Sequence, residues 1–213
     1  MRLRTTVPFV LTLFACASFT HADVNERFTI GIRLRIDPSI ASRRITEGLR
    51  TEAERIWDAY GIRLAWAEAG DSAATSVTLD ARVERESEKR RPGETATVLG
   101  RVIVGPDAIT TQPIRVSVDA IESVLARRQT TGWTPAAGLV LDGELARALG
   151  RVLAHEIGHV LIGAHHDRTG LMRPAFSPNE LAEPDDRPFR LPRGTADNVR
   201  HRLRALTAHT AVR

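Results

Sequence analysis

Residues 155–172 read HEIGHVLIGAHHDRTGLM. Two histidines stand four residues apart, a glutamate follows the first, and a glycine, two adjacent histidines and a methionine complete the stretch. On a helix, His155 and His159 leave one face a turn apart, so both imidazoles can reach one cation. Neutral imidazole suits zinc. Glu156 is turned by about 100° from His155, which takes it off the metal and leaves it able to reach a water bound there. A zinc with three protein ligands keeps a fourth position for such a water and lowers its pKa toward about 7. Glu156 can then take the water's proton and pass it to a leaving amine. His155 and His159 are therefore expected metal ligands, and Glu156 is the expected catalytic base.

The flanking sequence predicts a long helix under this stretch. Helix-favouring residues run from Glu144 through ELARALGRVLAHEIGHVLI, Asp142 is placed to cap them, and Gly163 stands where a left-handed stop belongs. Further upstream, RFTIGIRLRI (27–36) alternates apolar and basic residues, as a strand with one buried face does. Ile45, Leu49, Ala53, Ile56 and Trp57 then line one face of a helix that ends near Tyr60-Gly61. IRLAWAEA (62–69), SVTLDARV (76–83), TATVLGRVIVG (95–105) and PIRVSVDA (113–120) read as four more strands. IESVLARR (121–128) continues as a short helix, and TTGWTPAAG (130–138) reads as a loop. Residues 173–194 are proline-rich and irregular. TADNVRHRLRAL (195–206) reads as a terminal helix capped by Thr195, with Val199, Leu203 and Leu206 buried. No internal repeat is visible.

At 213 residues the chain is sized for one domain with a substantial core. Its first residues, MRLRTTVPFVLTLFACASFTHAD, place Arg2 and Arg4 before an uncharged, mostly apolar run and then small residues up to Ala22. That is the layout of a secretory signal over 1–22, leaving a mature domain over 23–213 and a secreted or periplasmic location. The run is shorter than the roughly 18–20 residues of a spanning helix. The single cysteine, Cys16 in LFAC, resembles a bacterial lipobox, so a lipidated form is the alternative. Either way the body of the domain holds no disulfide, and the fold must rest on packing and metal.

A pI near 10.4 suggests a polyanion binder. Without Arg2 and Arg4 the 30 basic residues fall to 28 against 26 acidic ones. So small an excess predicts no nucleic-acid partner, and a membrane partner only through lipidation at Cys16. ERESEKRR (84–91) mixes both signs, as a solvated loop does.

HEIGHVLIGAHH followed by GLMRP resembles the zinc-binding segment and methionine turn of the metzincin metallopeptidases, above all matrixin-like bacterial ones. Their pattern is H-E-x-x-H-x-x-G-x-x-H and then a methionine beneath the metal. The resemblance is close over 155–172 and loose over most of 27–206. It implies an α+β fold in which a mixed sheet with two helices, one carrying the active site, stands above a small C-terminal subdomain ending in a helix. It also implies an endopeptidase whose peptide or protein substrate pairs with a sheet edge supplied by PIRVSVDA or TATVLGRVIVG. Met172 matches the methionine turn, and 172–177 would wall the pocket after the scissile bond.

The chain departs from the pattern at the turn. The glycine position falls on Ile162, and a β-branched residue is badly suited to positive φ, so the bend should move to Gly163. His165 keeps the family spacing from His159, whereas His166 keeps the spacing from the glycine. HDRTGLM also resembles H-S-x-x-G-I-M of small bacterial relatives, which aligns His166 with their histidine. His166 is the preferred third ligand and His165 stays open. Arg173-Pro174 stand where some metzincins have a tyrosine that assists the transition state, so the oxyanion would depend on zinc. Gluzincins use a downstream glutamate instead, and NELAEPDD (179–186) offers Glu180, but Pro178 and Pro184 leave little room for a helix to present it. His201 and His209 read as exposed helix and tail residues.

The resulting expectation is an exported, monomeric zinc endopeptidase. An exported domain that binds zinc without proteolysis, in a structural or binding role, is the alternative, and joint coordination by His165 and His166 would be one way to close the metal's coordination.

Overall fold

The computed structural model describes residues 27–67, 77–85, 98–103, 113–128 and 137–210, without the side chains of 137–140 and 208–210. The leader over 1–22, most of ERESEKRR and residues 130–136 of the expected loop lie outside these. Among the described residues no helix is long and apolar enough to cross a membrane.

The period-two segments become strands β1 (Phe28–Ile36), β2 (Ile62–Ala67), β3 (Val77–Glu84), β4 (Gly100–Arg101) and β5 (Ile114–Ser117). They form one sheet in the order β2-β1-β3-β5-β4. β1, β2, β3 and β5 run parallel, and β4 pairs antiparallel with β5, so the sheet is mixed. The α+β class expected from the sequence is the one observed. Of the two candidate edges, β4 within TATVLGRVIVG is the edge, and β5 lies inside the sheet between β3 and β4.

One face of the sheet is buried by helices α1 (Arg43–Asp58) and α3 (Ala137–Ile162). Ile30, Ile32, Leu79, Ala81, Ile114 and Val116 point into this layer and are almost fully buried. α1 begins at Ser42, whose hydroxyl accepts from the Ile45 amide, and turns its Ile45, Leu49, Ala53, Ile56 and Trp57 face inward as expected. In α3 every residue from Ala148 to Leu161 is buried. A helix apolar all round belongs in the centre of the molecule, which is where the histidines are therefore held.

Several element boundaries differ from expectation. Of the described residues in TATVLGRVIVG only Gly100 and Arg101 are strand. Residues 113–120 do not stay extended. The Ser117 hydroxyl accepts from the Ala120 amide and starts α2 (Val118–Leu125) directly on the end of β5. α3 begins at Ala137, so Asp142 lies within it and Ala137-Gly138 are not loop. The apolar run GLVL ahead of Asp142 continues the helix-compatible sequence, and that outweighs a capping side chain. The irregular span after Met172 contains a short helix, α4 (Pro178–Ala182), because proline is tolerated at the first helical position. The terminal helix α5 spans Arg193–Thr210, so Thr195 lies inside it, and its hydroxyl donates to Asp167 Oδ2 at 2.7 Å. Val199 and Leu203 are buried as expected, and Leu206 is half-buried.

A candidate metal centre

The histidines stand where α3 ends. Gly163 stops the helix at φ +86°, a region strained for any residue with a Cβ, and its amide donates to the His159 carbonyl at 2.8 Å. The bend is therefore at Gly163 and not at Ile162. The chain then doubles back so that His166 faces the helix. One imidazole nitrogen each from His155, His159 and His166 lie within 4.8 Å of one another. His155 and His159 are buried, while His166 is exposed. His165 does not join them: its side chain is 72% exposed and its Nε2 lies 3.4 Å from Asp167 Oδ1.

The backbone fixes which nitrogen of each buried ring faces the cluster. His155 Nδ1 lies 2.7 Å from the Leu171 carbonyl, and His159 Nδ1 lies 3.0 Å from the Gly163 carbonyl. A carbonyl can only accept, so both Nδ1 atoms carry the hydrogen. Burial pushes the His155 pKa down to about 4 and lowers that of His159, so both rings are neutral. Their Nε2 atoms are then bare lone pairs, and they face each other at 3.0 Å. Two acceptors turned on one another fit an electron-poor centre between them. Three neutral imidazoles around one point, with two locked by carbonyls, are the donor set that suits zinc.

Leu171 belongs to the segment carrying Met172. The Asp167 amide donates to the Met172 carbonyl at 2.9 Å, closing a tight loop beneath the histidines. Met172 is fully buried, and a Cβ built on Gly158 would lie 2.2 Å from its Sδ. Only glycine between the two helix histidines leaves room for that thioether.

Glu156 is 4% exposed, and burial pushes its pKa up to about 8. A Cβ on Gly100 would lie 2.8 Å from Glu156 Oε1, so β4 runs directly alongside the carboxyl. A cleft of about 590 Å³ joins these groups, lined by Val98–Val102 on one side, His155, Glu156, His159 and His166 at the base, and Pro174, Ala175 and Phe176 opposite. Phe176 meets His155 edge-on at 5.5 Å and stacks on Phe189 at 5.1 Å.

Glu180 is not brought to the histidines. It is committed to α4, where Oε2 accepts from the Ser177 amide at 2.8 Å and Oε1 from Arg173 Nη1 at 2.7 Å. Pro178 thus leaves room for a helix, and that helix uses Glu180 as its cap. His201 is exposed on α5.

Sequence reasoning missed Arg151. This fully buried guanidinium donates to Glu52 Oε1 at 2.6 Å and to the Asp185 carbonyl at 3.0 Å, and also to the Glu180 carbonyl. It lies 4.4 Å from the Phe189 ring centroid, so α3 holds the Phe176–Phe189 pair from behind. An arginine in the apolar helix and a glutamate on the apolar face of α1 were the available signal.

No family model matches the chain, and no curated protein matches it. Among solved structures it is similar to archaemetzincin from Methanopyrus kandleri, with a TM-score of 0.47 and 16% identity over 84% of this chain and 96% of that one.

Proposed function

We propose that the protein is a zinc-dependent peptidase acting on internal bonds of peptide or protein substrates. The observation that carries this reading is the convergence of His155, His159 and His166 at the base of an open cleft that Glu156 also lines. The three histidines would hold the metal. Bound zinc supplies a Lewis acid that acidifies water and polarises a carbonyl, and its charge draws Glu156 back to the carboxylate form.

The chain's own groups do the rest. Glu156 accepts a proton from the attacking water and hands it to the departing amine. Its near-complete burial keeps bulk water from competing for that proton. β4 ends the sheet, so its outer backbone edge can take an extended substrate as a further strand across the cleft. Pro174, Ala175 and Phe176 face that strand and bound the space for one side chain. An open groove suits an internal bond. We further propose that the leader directs the enzyme out of the cell.

A fourth protein ligand would favour the non-proteolytic reading. His165 was the one offered, and it faces Asp167 instead. Among the described residues the group contains three histidines only.

The test is zinc content and casein cleavage by the purified protein beside its Glu156→Ala variant. One zinc in each, with cleavage only by the wild type, is the expected result. Zinc in both and no cleavage of casein or of a mixed peptide library by the wild type would overturn the peptidase reading.

A further inference from the structure

The sheet face turned away from the helices carries an ordered row of like charge. Arg35 stands opposite Arg82, Arg82 opposite Arg115, and Arg115 opposite Arg101, across β1, β3, β5 and β4. Neighbouring strands lie about 4.8 Å apart, so the four arginine backbones follow one another at about that interval. All four residues are exposed. Two carboxylates offset part of the charge: Asp80 holds Arg33 at 2.9 Å, and Glu84 holds Arg115 at 3.2 Å. Arg35 and Arg82, adjacent in the row, make no ion pair among the described residues, although Asp80 shares their face of the sheet.

Like charges directly opposite one another destabilise a sheet. Such a row persists at a cost that a bound anion would remove. A hollow of about 270 Å³ opens over it, lined by Arg33, Arg35, Asp80 and Arg82 and flanked by Ala67 and Pro113. The modest net charge of the chain conceals this, because the acids that balance the total stand elsewhere.

We propose that this hollow and the row beyond it bind an anion carrying two or more phosphate groups. The planar guanidinium fork matches phosphate oxygens two at a time. Spacing of about 4.8 Å lets linked phosphates engage Arg35 and Arg82 together, where a single carboxylate reaches one. Asp80 is paired with Arg33, which offsets much of its charge within the hollow. Among the described residues this face presents no aromatic ring on which a nucleobase could stack, so the ligand is read through its phosphates. A free oligophosphate and a phospholipid headgroup share that chemistry. The site lies across the sheet from the histidines and is independent of the peptidase reading.

The experiment is calorimetric titration of the zinc-loaded protein with sodium triphosphate at low salt, using wild type, Arg35→Gln/Arg82→Gln and Arg35→Lys/Arg82→Lys. Citrate, which also chelates zinc, is the control for metal stripping. Vesicles containing cardiolipin, whose headgroup links two phosphates, form the second arm in a sedimentation assay. Triphosphate should bind the wild type, and affinity should fall about ten-fold for each guanidinium lost. The lysine pair should be intermediate. Without ligand, the glutamine pair should melt at or above the wild-type temperature, because repulsion is relieved. Binding of triphosphate alone assigns the site to a free oligophosphate, and arginine-dependent capture of vesicles assigns it to a headgroup. Equal triphosphate affinity in wild type and both variants, citrate binding as tight as triphosphate, or tighter arginine-independent binding of single-stranded oligonucleotide would overturn the proposal.

Discussion

Glu156 and His155 are neighbours in sequence whose protonation responds to burial in opposite senses, and this gives the metal-free protein a distinctive pH response. The folded pKa of His155 is lowered from 6.5 to about 4, so between those values the unfolded chain binds more protons and stability rises with pH. The folded pKa of Glu156 is raised from 4.5 to about 8, so the folded chain binds more protons there and stability falls with pH. The two slopes oppose each other below pH 6.5, and above it the Glu156 slope stands alone. Chelator-treated protein should therefore lose stability between pH 6.5 and about 8, by at most about 1.4 kcal/mol per pH unit. Urea midpoints across that range should decline for the wild type and stay level for Glu156→Gln; a level wild type would mean that the carboxyl is not held neutral by burial. The third ligand is also decided by single residues. His166→Ala should lose zinc in a metal assay while His165→Ala retains it, since only the first ring faces the cluster.

Among the elements, α3 does two tasks, presenting the histidines on one side and supporting the pocket wall on the other. Gly158 is the point of tightest fit, with Met172 Sδ where a Cβ would be. Gly158→Ala should destabilise the protein by about 1–3 kcal/mol, as overpacking does, and thermal melts should show a smaller penalty for the same change in a Met172→Ala background, where the clashing thioether is gone. Arg151→Met tests the opposite side. It leaves the carbonyls of Glu180 and Asp185 without their donor and leaves Glu52 with Arg55 alone. Removing one partner of a buried pair costs about 3–5 kcal/mol, and the lower end is expected because Arg55 remains. The sequence showed this helix plainly at its histidine-bearing end, where spacing carries the information, and poorly at its start. Asp142 has a capping side chain, yet nothing local reveals that the helix begins ahead of it, at Ala137. β4 was legible as a strand but not in its length: the β-branched run of TATVLGRVIVG does not reveal that, among the described residues, only Gly100 and Arg101 pair.

At the scale of the molecule, what the sequence could not show is what depends on register. The row from Arg35 to Arg101 exists only once four strands have paired, and no local pattern encodes those partners. The metal centre likewise joins α3 to the segment after it, since His166 follows the bend and the Leu171 carbonyl orients His155. Zinc bound there would cross-link the central helix to the chain leading into α4 and α5, and would stabilise only the folded state. With free zinc at about a thousand times its dissociation constant, linkage gives about 4 kcal/mol. For a domain of this size each kcal/mol moves the melting temperature by about 2–4 °C, so zinc should raise it by about 8–16 °C over chelator-treated protein. Glu156→Gln should keep the whole shift, because its carboxyl is not among the three donors, and His166→Ala should lose most of it. A His166→Ala protein that zinc stabilises as strongly as the wild type would place the metal on other residues and detach the cleft from the chemistry proposed for it.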